Sequence, residues 1–122
     1  MPVVISNKAK YAGTAAVSQL NQETTVAELG PFSDDWMVEG YVDLSGLQNG
    51  DAMVVNEYVA LDGANYRLLY SATIIGPAAE PAVRFHTKTL HANMKYRVTV
   101  TQTSGTPRNV PYAFIVEVMG SA

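Results

Sequence analysis

The sequence predicts an all-β protein, an antiparallel β-sandwich or jelly-roll-like barrel of about six strands with an extended N-terminal arm. Two observations carry this. From residue 32 onward, apolar and polar residues alternate with a period of two, as strands with one wet face require. The runs are separated by short links rich in Gly, Pro, Asn and Asp, with none of the long helical patterns a parallel sheet needs for its crossovers. A length of 122 residues fits one core.

The chain divides at Gly30-Pro31, a pair that ends regular structure and restricts the residue before it. Residues 1–31 are expected as an arm ordered on a partner, and residues 32–122 as the β-domain. The first thirty residues carry no Trp or Phe and are rich in Ala, Thr, Ser, Gln and Asn. Within them, Thr25 with Glu28 three residues on has the form of a capping box for a short helical turn.

Trp36, Val38, Val42 and Leu44 form the inward row of the first strand, with Gly40 in that row as a candidate bulge. Ala52 to Leu61 is less cleanly alternating and suits a central strand covered on both faces. Asp62-Gly63 predicts a two-residue type I′ hairpin into the next strand, with Tyr66, Leu68, Tyr70, Ala72 and Ile74 inward. A Pro-rich loop, residues 76–81, follows. Val83 and Phe85 then point inward, with Arg84, His86 and Lys88 outward. The cleanest alternation is Met94, Tyr96, Val98 and Val100, and Val110, Tyr112, Phe114, Val116 and Val118 complete the pattern.

Composition narrows function. Hydrophobic residues make up 48% and charged residues 16%, enough for a core and too little charge for a disordered polymer. Eleven acidic against eight basic residues give a net charge of −3, without the basic excess of a non-specific nucleic-acid binder. Zero Cys excludes disulfides, thiolate metal sites and cysteine nucleophiles. The N-terminus shows no basic start followed by an apolar run, and no stretch approaches the roughly 20 apolar residues of a membrane helix. The expectation is a soluble chain.

The motifs of phosphate loops, nucleophile elbows and zinc proteases are missing, so an enzyme is not expected, nor a cofactor. His86, between Arg84 and Lys88, reads as a surface histidine, and His91 as a loop residue. Asp34-Asp35 reads as a solvated pair before a strand. Asp43, Ser45, Asn49 and Asp51 offer oxygen ligands, but Leu47 stands where an EF-hand needs a ligand and the turn glycine is displaced, so no metal is expected.

Surface features remain. If the strands that carry them pair, Arg84, His86 and Lys88 line up with Lys95 and Arg97 as a basic stripe able to dock an acidic partner. In the arm, Val3, Val4 and Ile5 have the β-branched character of a segment that adds to another sheet's edge, and Lys8, Lys10 and Tyr11 follow them. A carbohydrate-binding module is the alternative, with Trp36, Tyr41 and Tyr58 supplying stacking rings.

The segments Gly40-Tyr41-Val42-Asp43-Leu44-Ser45-Gly46-Leu47-Gln48-Asn49-Gly50-Asp51 and Tyr96-Arg97-Val98-Thr99-Val100-Thr101-Gln102-Thr103-Ser104-Gly105-Thr106, with an arm ahead of a compact β-domain, give the chain its style. In this it resembles the capsid decoration, or cement, proteins of tailed bacteriophages. The resemblance implies a non-enzymatic virion protein on the capsid exterior, soluble in the host cytoplasm before assembly. It would bind the major capsid protein or another virion protein, often as a dimer or trimer, with no nucleic acid and no membrane. A tail or baseplate subunit shares the same physics. The family has no catalytic residue to carry over.

Overall fold

The computed structural model describes residues 3–121; Met1, Pro2 and Ala122 of the sequence lie outside the described residues. The strands are β1 (Val3–Ala16), β2 (Thr24–Leu29), β3 (Trp36–Asp43), β4 (Ala52–Ala60), β5 (Tyr66–Ile75), β6 (Ala82–Leu90), β7 (Lys95–Ser104) and β8 (Asn109–Ser121). They form two four-stranded antiparallel sheets, ordered β1-β8-β3-β6 and β2-β7-β4-β5. The arrangement is a sandwich, not a closed barrel, and the described residues contain no helix.

The core follows from alternation. Val38 and Val42 of β3, Met53 and Val55 of β4, Tyr96, Val98 and Val100 of β7, and Phe114 and Val116 of β8 are all buried between the sheets. Trp36 is fully buried, its indole N–H satisfied by the His91 carbonyl at 3.1 Å and its ring met edge-on by Phe32. Gly40 is demanded by packing: the Phe114 ring lies across its backbone, where a Cβ would collide.

Eight strands stand where six were expected, and the two extra ones come from the expected arm. β1 pairs with β8 from Val3 opposite Ser121 to Ala16 opposite Asn109, and β2 pairs with β7. Residues 3–31 are therefore part of the sandwich, with Ala15, Val17, Val26, Ala27 and Leu29 in its core. The helical turn is also corrected. Thr25 pairs with Thr99 in a strand, and Glu28 reaches Arg97 instead of capping a helix. Alternation was invisible here for physical reasons. β1 is an edge strand exposed on both faces over most of its length, and a register shift in β2 buries Val26 and Ala27 side by side.

The hairpin between β4 and β5 exists, but its loop is longer than the two residues expected. Residues 61–65 connect the strands, only Gly63 takes positive φ, and one Asp62 carboxylate oxygen accepts the backbone N–H groups of Ala64 and Asn65. Asp62 thus builds an Asx-type turn rather than a type I′ one. Beyond it, Leu69 is an extra residue in β5, because Glu57 lies opposite Tyr70 while Tyr58 lies opposite Leu68. Tyr70, Ala72 and Ile74 keep the inward register expected of them; Tyr66 and Leu68 are turned to the outer face.

Candidate functional site

A second bulge decides the fate of the basic residues. Val38 faces Lys88 and Gly40 faces Phe85, so His86 and Thr87 of β6 lie against Glu39 alone. The extra residue flips the strand's phase, and Lys88 enters the sandwich on the same side as Phe85. There its ammonium donates to the Glu57 carboxylate at 2.7 Å and also to the His86 carbonyl. Glu57 is 5% exposed by side chain and also accepts the hydroxyl of buried Tyr96. Burial first, and then the adjacent carboxylate, push the Tyr96 phenol far above its ordinary pKa, so it stays a donor.

Lys88 and Glu57 form the floor of a groove of about 320 Å³ whose walls are Leu69, Tyr70, Arg84, Phe85 and His86, with Tyr96 buried behind Glu57. The groove marks the seam where the sandwich ends in β5 on one sheet and β6 on the other. A chain of donors and acceptors, each with its partner, crosses this seam and ties the sheets together. Sequence reasoning passed over Glu57. The signal was present, because Glu57 falls on the row of Met53 and Val55, where a carboxylate needs a buried partner.

The expected basic stripe does not form, because β6 belongs to one sheet and β7 to the other. Its members are dispersed. Arg84 donates to Glu39 at 2.9 Å, and Thr87 donates to the same carboxylate. The Thr87 hydroxyl first, and then Arg84, hold Glu39 below its ordinary pKa. On the opposite sheet Arg97 donates to Glu28 at 2.9 Å and its guanidinium lies 3.9 Å from the Tyr66 ring centroid. Lys95 stands opposite Ala60 of β4, and His86 is exposed on the seam's rim.

The other candidate groups are also engaged. Buried Asp51 accepts the Gln48 and Thr106 backbone N–H groups and the Arg108 guanidinium at 2.7 Å, which lock two loops together. Asp43 accepts the Ser45 backbone N–H, Asp34 that of Asp35, and Asp35 that of Ala92. Among the described residues, no group of three His, Asp or Glu side chains is placed to hold a metal ion. The rings proposed for sugar stacking do not share a face: Trp36 is buried, Tyr41 lies on the outer face of the β3 sheet, and Tyr58 on the other sheet donates to Glu23 at 2.7 Å.

What stays open to solvent is at the edges. Of the eleven large hydrophobic residues exposed among the described residues, eight lie on two edge strands: Val3, Val4, Ile5 and Tyr11 on β1, and Leu68, Leu69, Tyr70 and Ile75 on β5. Val3, Val4 and Ile5 pair with residues 119–121 of β8, beyond the last rung that β8 shares with β3 at Trp36 opposite Val118. They form a two-stranded overhang. Lys8 and Lys10 lie opposite Glu117 and Ile115 on the outer face, while Tyr11 lies opposite Phe114 on the inner side. No family model matches the chain, and no curated protein does.

Proposed function

We propose that this chain is a non-enzymatic structural protein that assembles through its sheet edges, as a capsid decoration or cement subunit of the kind its sequence resembles. The observation that supports this reading is the concentration of exposed apolar side chains on β1 and β5, whose outer backbone edges pair with no other strand among the described residues. Edge strands that do not join partners are blunted by natural sequences, and apolar edges are surfaces on which other chains add. The polar groups of the seam support the same reading, since Lys88, Glu57 and Tyr96 are spent on one another. On this reading the overhang of Val3, Val4 and Ile5 contacts the virion lattice, and the partner is the major capsid protein.

The test is co-sedimentation with shells assembled from the major capsid protein encoded in the same genome. Saturable binding at a fixed ratio, lost in Val3→Asp/Ile5→Asp, supports the reading. No binding to expanded or unexpanded shells overturns it.

A further inference from the structure

The two apolar edges differ in a way that selects the partner of one of them. β1 carries Lys8 and Lys10 at its middle. If it paired antiparallel with its own copy about a two-fold axis at Ala9, near its middle, each Lys8 would stand opposite a Lys10, and like charges directly opposed destabilise a sheet. Lysines placed along an edge are how natural sheets avoid self-pairing. β5 has no such guard. Its sequence, YRLLYSATII, contains one charge, at Arg67, and no proline.

We infer that β5 is a homotypic edge that pairs antiparallel with the β5 strand of a second copy of this chain, joining the two β2-β7-β4-β5 sheets into one eight-stranded sheet. The regular part of the strand lies beyond the Leu69 bulge, and a two-fold axis at Ala72 uses it. In that register Ala72 meets its own copy, Ser71 meets Thr73, and Tyr70 meets Ile74, an aromatic against a β-branched side chain on the groove side of the sheet. The two Arg67 side chains then stand on the order of 30 Å apart and are screened from each other. Pro77 follows just past the paired segment and has no N–H to extend the ladder.

Size agrees. Leu68, Leu69, Tyr70 and Ile75 are each about half exposed, and together present on the order of 400 Å² of apolar surface per copy. Doubled, and with the backbone edges added, this reaches the roughly 1,000 Å² at which an interface stands above incidental contact. A foreign strand of unrelated sequence would meet the same backbone, but only the chain's own copy is certain to bring an uncharged matching row.

Light scattering on the eluting full chain at submillimolar concentration is expected to give twice the chain mass. Ser71→Lys/Thr73→Lys copies the guard of β1 onto exposed positions and is expected to run as a folded monomer, with an unchanged far-ultraviolet dichroism spectrum. Ser71→Glu/Thr73→Glu is expected to do the same, and an equimolar mixture of the two to recover the dimer, because each Lys then faces a Glu. Val3→Lys/Ile5→Lys on β1 is expected to remain dimeric. A monomeric wild type overturns the inference, as does a dimer that survives Ser71→Lys/Thr73→Lys or one that is lost only in the β1 variant. The shell-binding result is separate: a β5 monomer that still sediments with shells leaves the decoration reading intact, and a dimer that ignores shells removes only that reading.

Discussion

Tyr11 and Phe114 stand opposite each other on neighbouring strands, and their surroundings could hardly differ more. Phe114, on a strand with partners on both sides, is 1% exposed and packs against Phe85, Tyr96 and Tyr112. Tyr11, one strand outward, is 37% exposed. A single step across the sheet separates a ring enclosed by its own chain from one that is partly open to solvent. A similar division runs through the sandwich: the middle strands hold the core, and the edge strands β1 and β5 carry most of the exposed large hydrophobic residues.

The largest expected effects test the closed half. Lys88→Met leaves Glu57 buried without its cation, and the expected loss is about 3–5 kcal/mol of unfolding free energy in urea titration. The companion variant Glu57→Leu/Lys88→Met/Tyr96→Phe removes all three polar groups together and is expected to recover most of that loss. If the single and triple variants are equally unstable, the seam depends on shape rather than on satisfied charge.

Phe114→Ala and Tyr11→Ala set the two members of the opposing pair against each other. The first opens a cavity among three rings and is expected to cost about 3–5 kcal/mol. The second trims a partly exposed ring at an edge and is expected to cost under about 1 kcal/mol in the isolated chain. Equal costs would mean that β1 is stabilised by packing and not chiefly by its ladder to β8, and the contrast between middle and edge would fail.

That contrast also explains what could be read in the sequence. The inward row Tyr96, Val98, Val100 is visible because one face of β7 meets the other sheet. In β1 both faces are wet, so no period appears, and fourteen residues of strand read as an arm. Pairing with β8 holds β1 through backbone hydrogen bonds, which carry no side-chain signature. Bulges account for the other departures. One extra residue in β6 brought Lys88 inward, and one in β5 turned Leu68 outward, each reversing the face that strict alternation assigns. The basic stripe failed for a different reason: alternation fixes which side of a strand is inward but not which strand is its neighbour, and consecutive β6 and β7 are in different sheets. For Asp51 and Asp62, type and turn context were legible, but their particular acceptor roles depend on loop geometry that folding creates.

Asp51 supplies a pH-dependent test of intermediate size. Arg108 first, then the backbone N–H groups of Gln48 and Thr106, hold its folded carboxyl below the ordinary value of 3.8. A depressed folded value means that its stabilising contribution is present above the ordinary pKa and disappears as pH falls through the lowered one. Asp51→Asn is therefore expected to lower Tm at neutral pH and to flatten the decline of Tm on acidification below about pH 4. A parallel displacement of the whole curve, with unchanged acid slope, would assign Asp51 a packing role alone.

The smallest effect belongs to the outer face. Arg97 and Glu28 are paired at 2.9 Å, yet their side chains are 32% and 49% exposed, so water and salt screen the attraction. A double-mutant cycle on Glu28→Gln and Arg97→Met is expected to return a coupling of about 0.2–1 kcal/mol that shrinks in concentrated salt. Because the guanidinium also lies over the Tyr66 ring, Arg97→Met is expected to cost more than Glu28→Gln, and Arg97→Lys to recover only part of the difference. The ring contact ties β7 to β5 across β4, so loss of Arg97 loosens the edge rather than the middle. Faster amide exchange in residues 66–70 of Arg97→Met, with residues 96–100 still protected, is the expected pattern; uniform loss of protection would show that the two regions unfold as one unit.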